Sequence, residues 1–182
     1  MLSFRLQQKK IVLLFLPLLF IISSCSDSKS KLKEYGPVFQ SVVLSDEGVF
    51  RGFNLGDNQE KVQKNETGKP VEEDKGYLYY EYKLDTVGSF NVTYNFDDKG
   101  LNEIQSDIFI NKADQSEAIF NKFKTYFDQH YGASESQMGF NVWSVKSEKY
   151  DEIKISISDE SADFTTDQAP GKISLWIYPN NN

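Results

Sequence analysis

Four groups of side chains in this sequence are of types that could do chemistry, and their spacing decides what each is fit for. Cys25 is the only cysteine in 182 residues, so an internal disulfide and a thiolate cluster are both excluded. His130 is the only histidine. A general base is conceivable there, but no Gly-x-Ser-x-Gly elbow accompanies it. It falls near the end of a predicted helix, where an imidazolium ring interacts favourably with the helix dipole. Asp159, Glu160, Asp163 and Asp167 crowd one predicted loop. Clustered carboxylates can take calcium, yet the alternating Asp-x-Asp-x-Asp order of a calcium loop is missing. Solvation accounts for the cluster, and no metal ligand is assigned. Asp97 and Asp98 could be read as paired carboxylates for hydrolysis, but adjacent acids at a hairpin tip point apart. No phosphate loop and no dinucleotide fingerprint occurs, so neither a catalytic residue nor a cofactor is predicted.

Contact, not catalysis, is the chemistry left. Tyr77, Tyr79, Trp176 and Tyr178 fall at the alternate positions of two predicted strands whose other positions are aliphatic or tyrosine. If the latter face a core, these four face away from it. Exposed Tyr and Trp are characteristic anchors of protein interfaces. A helix or the N-terminal segment could instead cover them.

The start of the chain carries the strongest positional signal. Arg5, Lys9 and Lys10 precede an uncharged run from Ile11 to Ile22, which is followed by Ser23, Ser24 and Cys25. A cationic start, a short apolar run and small residues before a cut point describe a secretory signal peptide. The run is too short to span a bilayer, which needs roughly 20 apolar residues, and Pro17 interrupts it. Ile22-Ser23-Ser24-Cys25 resembles the lipobox of bacterial lipoproteins. The resemblance implies cleavage before Cys25 and attachment of two or three lipid chains, palmitate included, to that cysteine. Two or more chains hold a protein to a membrane stably where one does so marginally. The expected locality is therefore the bacterial cell envelope, at the outer membrane or the periplasmic face, with the membrane contacted through lipid.

Loss of residues 1–24 removes three positive charges and no acids, taking the net charge from −7 to −10. That balance argues against nucleic acid and against adhesion to anionic headgroups. The remaining residues suffice for one ordinary domain, and the aromatic content of 14% over the full sequence suits a β-rich core built by burial alone.

Residues 25–36 read as the lipidated cysteine and a flexible tether, and 37–182 as a single domain. Val38 to Leu44 is expected to be extended. Asp57-Asn58-Gln59-Glu60 has the form of a capping box, opening a short helix with Val62 almost its only apolar residue and ending before Gly68. Leu78, Tyr80, Tyr82 and Leu84, then Phe90, Val92, Tyr94 and Phe96, alternate with polar residues at a strict period of two. Asp97-Asp98-Lys99-Gly100 forms the turn, and Leu101, Ile104, Ile108 and Ile110 continue the pattern. Asp114-Gln115-Ser116-Glu117 is a second capping-box pattern. The helix after it carries Ile119, Phe120, Phe123, Tyr126, Phe127 and Tyr131 on one stripe, with Gly132 as the stop. Strands are predicted over Phe140–Val145, Glu152–Ser158 and Lys172–Tyr178. The two cap patterns lie 57 residues apart, which makes this an internal repeat in pattern. The fold class expected is α+β: an antiparallel sheet with helices on one face, in two α-β-β-β units spanning about 50–112 and 113–179.

Leu55-Gly56-Asp57-Asn58-Gln59-Glu60-Lys61-Val62 and Phe96-Asp97-Asp98-Lys99-Gly100-Leu101 resemble the helix start and hairpin of the SmpA/OmlA outer-membrane lipoproteins and the β-lactamase-inhibitor-like repeat fold. The resemblance covers residues 50–110 and implies a binding or scaffold module; unlike the inhibitors, this chain has no second cysteine. The expected function is a non-catalytic, membrane-tethered envelope lipoprotein that binds a protein partner or assists assembly. A metal-dependent envelope hydrolase and a purely structural lipoprotein are the alternatives.

Overall fold

Strict alternation in the strand-forming segments has one structural consequence: every strand presents one apolar row, and all the rows must share a side. The computed structural model describes residues 31–161 and 170–180. In it, β1 (Glu72–Asp74), β2 (Tyr77–Leu84), β3 (Gly88–Asp97), β4 (Gly100–Ile110), β5 (Glu135–Gln137), β6 (Phe140–Lys146), β7 (Glu152–Asp159) and β8 (Gly171–Pro179) form one sheet. Its order is β1-β2-β3-β4-β8-β7-β6-β5, antiparallel throughout. Each half is a four-strand meander, one strand more than the expected α-β-β-β unit because the short edge strands β1 and β5 add to it. The last strands of the two halves pair with each other from Ile104↔Ile177 to Ile110↔Gly171. The fold is α+β, as the alternation predicts.

One departure from period two is built into β4. Phe96 pairs with Leu101 and Asn95 with Glu103, so Asn102 is an extra residue. Such a bulge turns a spacing of three into two inward-facing positions. Leu101 and Ile104 are consequently both buried.

Helices cover the apolar side. The longest, Ser116–Tyr131, buries Ile119, Phe123, Tyr126 and Phe127 of the predicted stripe, while Phe120 and Tyr131 are half-buried against the core. Two shorter helices precede it, so in chain order α1 is Pro37–Val43, α2 is Gln59–Asn65 and α3 is Ser116–Tyr131. The helices α2 and α3 open 57 residues apart, which preserves the repeat.

Three expectations are corrected. Val38 to Leu44 is helix rather than extended chain. Pro37 occupies its first turn, where a missing N–H costs nothing, and Phe39, Val42 and Val43 lie at helical spacing. Phe39 is fully buried against Phe123 and Tyr126, at 4.8 and 4.9 Å between ring centroids. The tether also ends earlier than residue 36: Leu32 is 0% exposed, and Tyr35 is buried with its hydroxyl donating to Gln129 Oε1 at 2.5 Å. Finally, neither capping box forms as written. Asn58, not Asp57, caps α2 by accepting from the Lys61 amide at 2.8 Å. Before α3, Ala113–Gln115 make a 3-10 turn and Gln115 provides no side-chain cap. The acids serve elsewhere: Asp57 accepts from the Asn54 amide and pairs with Lys61 Nζ at 2.8 Å.

The loop before α2 is fastened to the β3–β4 hairpin. Gly56 N–H donates to Leu101 O, and Leu101 N–H donates to Asp57 O, each at 2.7 Å. Gly100 has φ of 106°, and a Cβ there would lie 2.6 Å from Gly56 O, so glycine is required. The two short motifs that carry the envelope-lipoprotein resemblance are thus joined backbone to backbone.

Candidate binding face

With all three helices on one side, the opposite side of the sheet has no layer over it among the described residues. Register places Tyr79, Thr93, Gln105, Trp176, Ser156 and Val142 in one transverse row, because each is the direct partner of the next. Glu72 and Glu135 stand at its two ends. Directly opposed residues share a face, so Tyr79 and Trp176 lie on the same side, with Tyr77 and Tyr178 two positions along their strands. None of the four is buried, and Trp176 is 43% exposed.

The structure does not gather them into one cluster. Three interstrand steps separate β2 from β8, about 14 Å at the usual strand spacing. Tyr77 and Tyr79 form one pair, Trp176 and Tyr178 another, and between them run Thr93, Asn95, Glu103 and Gln105. The polar strip is internally bonded. Glu103 Oε1 accepts from Asn95 Nδ2 at 2.8 Å and from Gln105 Nε2 at 2.7 Å.

Electrostatics differ between the two pairs. Around Trp176 and Tyr178, charges are matched: Lys154 pairs with Glu152 at 3.0 Å and donates to Ser144 Oγ at 2.5 Å. Lys172 contacts Asp107 at 3.3 Å and Glu160 at 3.0 Å. Burial pulls the Lys172 ammonium down, but those two carboxylates outweigh it and hold it above its ordinary range. At the other end, Tyr79 donates to Glu81 Oε1 at 2.8 Å. Burial and the adjacent Glu81 push its hydroxyl up to about 12, so the ring stays a neutral donor.

The residues weighed for catalysis are occupied structurally. His130 Nδ1 lies 2.8 Å from Tyr126 O, and its ring packs on Tyr126 at 4.0 Å. Asp97 accepts from the Lys99 amide at 2.7 Å. Asp159 is bonded by Ser161 and Ser116, near the start of α3. Among the described residues, no group of three or more His, Cys, Asp or Glu is placed to hold a metal, and no helix is long and apolar enough to cross a membrane. The signal peptide, Cys25, Asp163 and Asp167 lie outside the described residues.

Sequence reasoning missed a buried ion pair. Arg51, 3% exposed, grips Glu66 through Nε at 2.8 Å and Nη2 at 2.6 Å. Its Nη1 donates to Ser41 O at 3.0 Å and Val42 O at 2.7 Å, closing the last turn of α1. The guanidinium lies over the rings of Tyr82 and Phe90 at 4.9 and 5.4 Å. Tyr94 donates to Glu66 Oε2, and the Thr67 amide donates to Oε1 at 2.6 Å. Burial alone would raise the Glu66 carboxyl, but Arg51, Tyr94 and Thr67 hold it below its ordinary value of 4.5. Fifteen residues and a turn separate the pair in sequence, so no local spacing announces it. The only available signal was an arginine inside the apolar stretch Val49-Phe50-Arg51-Gly52-Phe53.

Comparison of the chain with protein-family models, with curated proteins and with solved structures finds no match.

Proposed function

We propose that this chain is a lipid-anchored module of the bacterial cell envelope that binds a protein partner through the open face of its sheet, without catalysing a reaction. The observation that supports this reading is the face itself: eight strands covered by helices on one side, with Trp176, Tyr178, Tyr77 and Tyr79 accessible on the other. Tyr and Trp give large contact area while ordering few torsions. Trp176 has buried serines beside it, Ser156 opposite on β7 and Ser174 two residues back along β8, so its ring is the broad feature that a partner meets there. The lipobox-like Ile22-Ser23-Ser24-Cys25 supplies the tether, with the binding domain beginning at or before Leu32.

Two measurements test the two halves. Replacing Cys25→Ser is expected to move the protein from the membrane to the soluble fraction and to abolish the mass increment of lipid. Unchanged partitioning would overturn the anchor. A photo-crosslinking amino acid at Trp176 is expected to give a discrete adduct in intact cells, whereas the same probe on the helix side, at Glu117, gives none. Equal adducts from both positions, or none from Trp176, would overturn the face.

A further inference from the structure

The two aromatic pairs on the open face stand in different electrostatic settings, and the difference says what a partner must bring. Register places Glu72 opposite Tyr79 and Asp74 opposite Tyr77, while Glu81 follows Tyr79 on the same side of β2. Glu72, Asp74 and Glu81 are exposed, and none has an ion pair among the described residues. Glu103, two strands further along on β4, is satisfied by amides but not neutralised. Against these acids, the four strands β1–β4 set one cation on this face, Lys83. A hollow of about 510 Å³ opens beside Tyr79 and Glu81, with Lys83 also on its lining.

We infer that the β1–β2 end of the open face receives the cationic side chains of a lysine- or arginine-rich segment of the protein partner. This rests on the binding-face reading above. A tyrosine ring presents a negative face that attracts ammonium and guanidinium groups. Carboxylates beside such rings add charge without closing them off, and acids left unmatched by the chain's own lysines are complementary to a basic surface. Around Trp176 the lysines are already neutralised by Glu152, Asp107 and Glu160, so that end recognises apolar or neutral groups. Anionic partners are repelled from the first end. A simple cation could also be drawn there, and the test separates it.

The probe is a fluorescein-labelled peptide of alternating lysine and serine, titrated by anisotropy into the full chain in detergent, with the glutamate–serine peptide as control. The variant Glu72→Gln/Asp74→Asn/Glu81→Gln is expected to weaken lysine-peptide binding about tenfold, and the glutamate peptide is expected not to bind. Glu34→Gln/Glu60→Gln/Glu117→Gln removes the same charge from exposed positions on the helix side and is expected to change affinity by less than about twofold. Equal losses in the two variants, or no lysine-peptide binding by the parent, would overturn the inference. So would calorimetric binding of calcium chloride that the first variant abolishes, since the acids would then serve a metal ion. In cells, undiminished crosslinking from position 176 in the first variant would sink the cationic segment while leaving the binding face intact. Loss of crosslinking from position 176 in the parent would remove the face itself.

Discussion

Two hydroxyls in the core make the energetic rules of this protein testable one atom at a time. Tyr94 Oη donates to the buried Glu66 carboxylate, whereas Tyr80 Oη is buried with no hydrogen-bond partner among the described residues. A hydrogen bond to a charged group contributes roughly 1.5–3 kcal/mol, while an unsatisfied buried hydroxyl is a cost. Tyr94→Phe is therefore expected to lower stability by about 2 kcal/mol, and Tyr80→Phe to leave it unchanged or raise it, as measured by urea denaturation. Breaking the ion pair is more severe. Glu66→Gln strands the Arg51 charge, which is 3% exposed, and is expected to cost about 3–5 kcal/mol. The pair also sets an acid limit. Because the folded carboxyl is held below its ordinary 4.5, its contribution is complete above that value and is lost as pH falls through the folded one. Stability of the parent should drop below about pH 4.5, and the part owed to Glu66 should vanish from the pH profile of Glu66→Gln.

At the scale of elements, the aromatic seam between α1 and α3 fixes the N-terminal helix on the domain. Phe39 touches Phe123 and Tyr126, Tyr35 meets Tyr126 edge-on at 5.4 Å, and Phe127 packs on Trp143 at 5.2 Å. Truncating a buried phenylalanine costs about 3–5 kcal/mol. Phe123→Ala and Phe127→Ala are expected to fall in that range, and so is Phe39→Ala, although its neighbourhood reads in sequence as extended chain. A double-mutant cycle between Phe39 and Phe123 should show coupling above about 0.5 kcal/mol; denaturant melts of the three variants measure it. These helices also show where sequence reading succeeds and fails. The α3 stripe was legible because Ile119, Phe123, Tyr126 and Phe127 repeat at three- and four-residue spacings within a helix of 16 residues. In α1, seven residues hold too few turns to establish a period, and three valines mimic a strand. The edge strands β1 and β5, three exposed residues each, contain no apolar position to alternate. Arg51 and Glu66 meet only through the fold. The open face was half legible: alternation sorts Tyr77, Tyr79, Trp176 and Tyr178 to the non-core side, but only strand order reveals the two strands between the pairs.

For the whole molecule, the question is whether two repeats make one cooperative unit. The seam between them is β4 against β8, central strands paired over seven residues and flanked on the helix side by one continuous apolar core. Ile104, Ile108, Ile173 and Ile177 are all 0–1% exposed, so separating the halves would expose the best-buried rows of both. No linker with its own solvated surface lies between them; α3 follows β4 after a short turn and packs on strands of the second half. Coupling of that kind forbids one half melting while the other stands. The chain offers a convenient reporter, because both tryptophans, Trp143 and Trp176, belong to the second repeat. Leu78 is fully buried in β2, deep in the first repeat. Leu78→Ala should cost about 2–5 kcal/mol, and the prediction concerns where that loss is seen. In urea, tryptophan emission and far-ultraviolet circular dichroism should give coincident midpoints in the parent. Both should shift together, by the same amount and without a change of slope, in the variant. A tryptophan midpoint that stays put while the dichroism moves would mean that the second repeat stands alone, and that the β4–β8 seam joins two domains instead of completing one.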